Sequence, residues 1–192
     1  MPNPMSWIRL PTLVCVFSAG WLLAEEFPTP ANTEKSDRTP MDPAEVVRSA
    51  KLPSGFQLSV VAAEPLVQNP IALTFDERGR IWIAENYSWA GSKAGGFDFD
   101  QRDRIVILED PNGDGTYDKR TVFWDNAHNL TSVEIGNGGI WAICLPNLIF
   151  IPDRNRDDIP DSAPQVVLDG FEGKTISHNA ANWLRWGPDG WL

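Results

Sequence analysis

The 192-residue chain has few of the residue types that most often carry reactive chemistry: two cysteines and two histidines. Cys15 lies in an amino-terminal apolar stretch, so Cys144 would be the one cysteine left if that stretch is removed, and it could form no internal disulfide. Cys144 sits in the apolar run Ile140 to Leu145. That position predicts a buried structural thiol, with a reactive thiol as the alternative.

Basic residues are also scarce: the chain has 16 Lys and Arg but 26 Asp and Glu, so its formal net charge is −10. A chain of this charge repels phosphate backbones, and no cluster of Lys and Arg offsets the repulsion. The sequence therefore predicts that nucleic acid is not a partner.

Long hydrophobic runs are nearly absent. The one candidate, Leu10 to Leu23, is interrupted by Pro11 and Gly20 and is shorter than the roughly 20 residues of a membrane-spanning helix. Because Ala24 follows it, residues 1–24 are predicted to be a secretory signal peptide, with an uncleaved anchor as the alternative. Export to the periplasm or cell envelope follows, with no transmembrane span after cleavage.

Residues 25–41 are rich in Pro and polar side chains and are predicted to form a disordered spacer. A short helix is predicted over residues 42–51. Asp42 can cap it, Pro43 suits its first position, and Glu45 completes a capping box.

Helical periodicity is lacking after Ala50, and Gly, Asn, Asp and Pro clusters separate short apolar runs. This pattern predicts an all-β domain. The predicted strands are Phe56 to Ala62, Ile71 to Phe75, Arg80 to Ala84, Arg104 to Leu108, Thr121 to Trp124, Ser132 to Ile135, Gly139 to Leu145, Leu148 to Ile151, Val166 to Leu168 and Trp183 to Trp186. Most of the tryptophans on or beside strands are predicted to pack in the core, with stacking on sugars as the alternative.

Two acidic loops, 110–118 and 153–161, stand 43 positions apart in the same register. Each has oxygen-bearing side chains at its first, third, fifth and ninth places, which resembles the start of a calcium loop. The predicted calcium ligands are Asp110, Asn112, Asp114, Asp118, Asp153, Asn155, Asp157 and Asp161. Hairpins closed by Asx turns are the alternative, since the bidentate carboxylate of a calcium loop is missing from both.

A second repeat begins at Asn69, Asn129 and Asn179, spaced by 60 and 50 residues. Together the repeats predict about three four-stranded blades of a six-bladed β-propeller, incomplete within residues 52–192. Both histidines precede an Asn of this repeat, as His128 and His178. Because inner strands of a propeller surround one channel, His128, Asn129, His178 and Asn179 are predicted to line a shared polar pocket. Asn residues that only shape turns, beside exposed histidines, are the alternative.

Several short motifs resemble those of the membrane-bound dehydrogenases of planctomycetes. They include Leu52 to Phe56, Ile81 to Asn86, Arg102 to Ile105, the loop 110–118, and His178-Asn179 followed by Trp186 to Leu192. In that family the amino-terminal propeller is similar to soluble quinoprotein glucose and sorbosone dehydrogenases.

The resemblance implies oxidation of a sugar or related alcohol by pyrroloquinoline quinone, with His178 as general base and His128 contacting substrate. It also implies an electron acceptor, such as a cytochrome domain, in a portion that these residues do not include. A non-catalytic secreted propeller that binds glycans or a protein is the alternative function.

Overall fold

The structure, a computed structural model, describes residues 27, 39–89, 98, 100–171 and 180–192. The predicted signal peptide lies outside these residues, as does most of the predicted spacer, so both stay predictions. Within the described ranges, no helix has both the length and the apolar character that crossing a bilayer requires.

The predicted helix is present as α1, Pro43–Ser49. The Oδ1 atom of Asp42 accepts hydrogen bonds from the backbone N–H of Ala44 at 2.9 Å and of Glu45 at 3.3 Å. The bond from Ala44 satisfies an amide at the start of the helix, which is why the helix begins at this point.

Everything else regular in the described chain is β-structure, so the all-β prediction is confirmed. The strands are β1 Pro70–Phe75, β2 Ile81–Glu85, β3 Asp103–Glu109, β4 Lys119–Ala127, β5 Leu130–Ile135, β6 Gly139–Cys144, β7 Asn147–Pro152 and β8 Gln165–Leu168. Strands β1 to β4 form the first sheet and β5 to β8 the second. In each sheet neighbours in sequence pair antiparallel, and neither sheet closes on itself.

Two predicted strands do not form. No strand pairs with Phe56 to Ala62 or with Trp183 to Trp186, although both segments lie beside the sheets. Alternating or apolar sequence predicts an extended backbone, but a strand also needs a neighbour whose N–H and C=O groups pair with its own. The structure supplies no such neighbour among the described residues.

The main core lies between the two sheets. Trp82, Ile105 and Ile107 of the first sheet pack with Ile140 and Ile151 of the second, and all five are buried. Alternate residues of each strand point to this interface because successive side chains lie on opposite faces of a sheet.

The outer faces of both sheets are also covered, which explains why all five residues of β2 are buried. On the first sheet, the segment containing Ala62, Leu66 and Val67 packs over a cluster made of Ile81, Ile83, Val106 and Leu108. On the second sheet, Phe171 and Leu184 pack over Ile143, Leu145 and Leu148. The result is a stack of layers with three apolar interfaces.

Candidate functional site

Both described repeats begin with an asparagine in the same unusual backbone conformation. Asn69 has a φ of 43° and Asn129 a φ of 51°, a left-handed region that Asn tolerates better than most residues. The carbonyl of Asn69 accepts a hydrogen bond from the backbone of Asn86 at 3.0 Å, and that of Asn129 accepts one from Leu145 at 3.2 Å. Backbone geometry therefore accounts for the repeated asparagine. Asn129 is only 1% exposed, and its contact with a substrate stays a prediction.

His128 precedes this turn and is half-buried, with Nδ1 2.9 Å from the carbonyl oxygen of Gln101. Its backbone hydrogen-bonds the thiol of Cys144. Burial raises the pKa of Cys144 to about 12, so the thiol stays protonated near neutral pH and the prediction of a buried structural cysteine is confirmed. His178 and Asn179 lie outside the described residues, and the convergence of the two histidines stays a prediction.

A buried carboxylate joins the two sheets close to His128. Asp103 is fully buried, and its Oδ1 accepts from the backbone N–H of Tyr87 at 2.6 Å and of Ser88 at 2.7 Å. Its Oδ2 accepts from the Ser88 hydroxyl and from the backbone of Leu130, both at 2.8 Å. Burial raises the pKa of Asp103, although these donors oppose the shift. Because Leu130 opens β5, this side chain fixes the start of the second sheet against the first.

A second buried cluster surrounds Glu85 at the end of β2. Its Oε2 lies 2.5 Å from Nε of Arg104 and 2.9 Å from Nη2 of Arg120. Its Oε1 accepts from the backbone of Gln68 at 2.8 Å. The cluster holds Gln68, the residue before the first asparagine turn, by charge-assisted bonds, since Arg104 also donates to its side-chain oxygen at 3.2 Å.

Tyr87 belongs to the same cluster, and its hydroxyl bonds both Gln68 and Glu85. Burial, with the charge of Glu85, raises the pKa of Tyr87 to about 12. Phe27 covers the cluster, with its ring 4.2 Å from the guanidinium carbon of Arg104 and edge-on to Tyr87 at 5.0 Å. This residue of the predicted spacer therefore contacts the first sheet through a cation–π interaction.

A groove of about 580 Å³ runs between the first strands of the two sheets. Its walls are residues 71–75 of β1, residues 131–134 of β5 and residues 182–185, the segment that would open a third repeat. Leu184 donates its backbone N–H to the Ser132 hydroxyl at 2.8 Å, which holds this segment beside β5. The beginnings of three repeats thus border one space.

The groove has both polar and aromatic walls. The Thr74 hydroxyl donates to Oε1 of Glu134 at 2.8 Å across the gap between β1 and β5. Trp183 lies on the groove and is 76% exposed, with a φ of 61°. Trp183 is therefore an exception to the prediction that most tryptophans pack in the core, as is Trp191 at 77% exposure. Trp186 is half-buried, and its Nε1 donates to the Ile135 carbonyl at 2.7 Å. An exposed ring beside polar groups suits the face of a sugar.

The two acidic loops share an internal hydrogen-bond pattern. Backbone amides donate to the side chains of Asp110, Asn112 and Asp114 in the first loop, and to Asp153, Asn155 and Asp157 in the second. Asp161 accepts from Arg154, while Asp118 is exposed. Such Asx turns account for the conformation of both loops.

The described residues contain no group of three or more His, Cys, Asp and Glu side chains placed to hold a metal ion. The oxygens of the first loop are already engaged by backbone amides, most fully at Asp110, which accepts three such bonds. The arrangement does not by itself fit a calcium cage of six to eight oxygens. Calcium binding stays a prediction, and no chemistry is derived through it.

The second loop also binds the first sheet. Arg80, beside the turn between β1 and β2, donates to both carboxylate oxygens of Asp158, at 2.6 and 2.9 Å, and to Asp76 at 2.7 Å. Arg156 pairs with Glu77 of the same turn. The loop thus serves as a connection between the sheets, opposite in position to the cluster around Asp103.

Residues 42–192 match the model of DUF7133, a domain of unknown function. The chain belongs to this family. No curated protein and no solved structure matches it.

The matched region of this DUF7133 chain begins at Asp42, the residue that caps α1. It includes both sheets, the groove and both buried charged clusters. Sequence reasoning about this domain did not find the buried clusters, although Glu85 and Asp103 each flank an apolar strand directly. A charged residue joined to a continuous apolar run was the signal that could have indicated them.

Proposed function

We propose that this domain forms consecutive blades of a β-propeller and binds a small sugar or related alcohol in the groove between its inner strands. The two four-stranded antiparallel sheets support the architecture, because each has the strand order of a propeller blade. The stacking of β1, β5 and residues 182–185 around one groove supports it further.

The observation that carries the ligand class is the exposed indole of Trp183 on the groove. An aromatic face stacks on the apolar face of a sugar ring, while Glu134, Asn182 and Arg185 supply hydrogen-bonding groups for hydroxyls. A groove of about 580 Å³ has the size of a small-molecule site.

For the chemistry we propose an oxidoreductase, as the resemblance to quinoprotein dehydrogenases implies. Oxidation of an alcohol removes a hydride from carbon and a proton from the hydroxyl. The imidazole of His178 is proposed to take the proton, and pyrroloquinoline quinone, when bound, supplies the two-electron acceptor.

The described part of the groove does not fit the quinone itself. Its lining contains one cation, Arg185, and one carboxylate, Glu134, whereas the quinone carries several carboxylates. No residue of this groove is therefore assigned to the cofactor, and no step is derived through it.

The test is direct binding of a panel of aldoses and polyols to the full chain, compared with Trp183→Ala. Trp191→Ala is the matched control, because Trp191 is similarly exposed, at 77%, and is not part of the groove lining. We expect at least a tenfold loss of affinity for Trp183→Ala alone. Absence of binding by the unmodified chain, or equal binding by both variants, would contradict the sugar site.

Dye-linked oxidation by the quinone- and calcium-loaded full-length protein tests the chemistry separately. We expect His178→Ala to abolish turnover while sugar affinity is retained. Sugar binding with no quinone uptake would instead favour the non-catalytic, glycan-binding alternative.

A further inference from the structure

The carboxylate of Glu134 is oriented beside the groove by two hydrogen bonds to one of its oxygens. Oε1 accepts from the Thr74 hydroxyl at 2.8 Å, across the gap between β1 and β5, and from the backbone N–H of Ile135 at 2.9 Å. The other oxygen, Oε2, has no hydrogen-bond partner among the residues that the structure describes. Because an ionised carboxylate only accepts hydrogen bonds, Oε2 can take a donor from a ligand.

The fold itself does not require a carboxylate at this place. Glu134 stands five residues after Asn129, and Thr74 stands five residues after Asn69, so the two side chains occupy the same position of the repeat. Each is the last residue but one of its strand, and each lines the groove. A neutral hydroxyl therefore suits the same position of the equivalent strand, and the charge of Glu134 is not needed to form it.

Glu134 has the larger effect on the charge that a ligand meets. It is the one carboxylate among the described residues that line the groove, and Arg185 is the one cation. No salt bridge joins the two within the described ranges. Arg185 is exposed, whereas Glu134 is half-buried and held in place by its two hydrogen bonds. Water and salt screen an exposed charge more than a partly buried one.

We infer that Glu134 is the specificity-determining residue of the groove, which takes neutral sugars or polyols and excludes sugar acids. With the ring stacked on Trp183, Oε2 accepts hydroxyl hydrogens of the ligand in charge-assisted bonds. A sugar acid instead brings a second carboxylate against Oε2, and two like charges at this distance repel each other. The inference rests on the sugar site proposed above and names the class of sugar that it binds.

The substitution Glu134→Gln reverses the hydrogen-bonding character of the atom offered to the ligand. Thr74 and Ile135 both donate, so they hold the amide oxygen in the place of Oε1, and the NH₂ group takes the place of Oε2. This group donates and is neutral. It bonds the carboxylate of a sugar acid and no longer accepts a hydroxyl hydrogen.

The test is calorimetric titration of the full chain with each aldose that binds and with its aldonic and uronic acids, such as glucose, gluconate and glucuronate. In the unmodified chain we expect at least one of the two acids, the one whose carboxylate meets Glu134, to bind about tenfold or more weakly than the aldose. In Glu134→Gln we expect aldose affinity to fall roughly tenfold and that acid to bind more tightly than the aldose. Glu64→Gln is the matched control, at an exposed position outside the groove lining, and should keep the original order.

The order of the two affinities is measured on one sample, so it does not depend on the fraction of a variant that is folded. Equal affinity of the unmodified chain for an aldose and both of its acids overturns the inference, as does an unchanged order in Glu134→Gln. In either case, loss of aldose binding in Trp183→Ala would leave the sugar site itself in place. An unmodified chain that binds no sugar of the panel contradicts the sugar site and this inference together.

Discussion

Arg80 of the first sheet and Asp158 of the second acidic loop form a two-bond ion pair across the junction of the two sheets. Asp158 adopts a φ of 68°, and the first loop has Gly115 at the same position of its register. Glycine adopts this conformation freely, whereas aspartate does so at a cost of about 1–2 kcal/mol. The pair with Arg80, whose pKa Asp158 raises by hydrogen bonding, explains why the second loop has an aspartate there.

Asp158→Asn tests this pair, because Asn tolerates the same backbone conformation and removes only the charge. We expect the free energy of unfolding to fall by about 1–2 kcal/mol, as for a charge-assisted hydrogen bond. Denaturant unfolding measures the change. Asp118→Asn, an exposed position of the first loop, should have an effect within about 0.5 kcal/mol. Equal effects would show that the pair contributes nothing specific.

The stability of the fold should depend on pH through Asp76. Burial raises its pKa, but hydrogen bonds from Trp82 and Arg80 outweigh burial and hold it below the ordinary value. A lowered pKa means that Asp76 stabilises the fold above its unfolded pKa of about 3.9 and loses this effect as pH falls through the folded pKa. Asp76→Asn should therefore destabilise the protein most at pH 6 and less at pH 3, measured by denaturant unfolding. A difference that stays constant with pH would contradict this assignment.

A substitution at Asp103 tests how much this side chain stabilises the junction between the two sheets. Asp103→Asn replaces one accepting oxygen with an NH₂ group that faces backbone donors, so at least one buried amide loses its partner. We expect a loss of about 1–3 kcal/mol and faster amide exchange at Leu130, which donates to Asp103. Asp125→Asn, exposed on β4, is the control and should leave that amide unchanged.

The asparagine turn can be tested by a pair of substitutions at residue 129. Asn129→Ala places an alanine at a φ of 51°, which should cost about 1–2 kcal/mol. Asn129→Gly should be close to neutral, because glycine adopts this conformation readily. Thermal unfolding compares the two. If both variants lose the same stability, the side chain of Asn129 matters more than its backbone.

Local signals predicted much of the fold correctly. Asp42 and Pro43 marked the helix, and eight of the predicted strands overlap the eight that the structure contains. These features depend on short stretches of chain, where capping chemistry and the alternation of apolar residues act directly. The strand predicted at residues 56–62 is wrong because its formation depends on a neighbour, which its own sequence does not specify.

The buried charges could not be predicted in the same way. Glu85 contacts Arg104 and Arg120, which are 19 and 35 positions away, and those partners become neighbours only after β2, β3 and β4 pair. The exposure of Trp183 could not be predicted either, since an indole next to an apolar run is typical of a core residue. It adopts a φ of 61°, a left-handed conformation that its residue type does not predict.

The two sheets contact each other through different faces, since Ile140 lies in their shared core whereas Ile81, at the same place in the first sheet, lies on its outer face. This difference has a consequence for how such a protein can change in evolution. Because such a unit has a different surface on each face, duplication of it would insert a copy that matches both of its neighbours. Array length can then vary without a new contact having to arise. The ion pair between Arg80 and Asp158 makes one junction between sheets different from the others. Contacts of this kind would fix the order of copies that could otherwise exchange places.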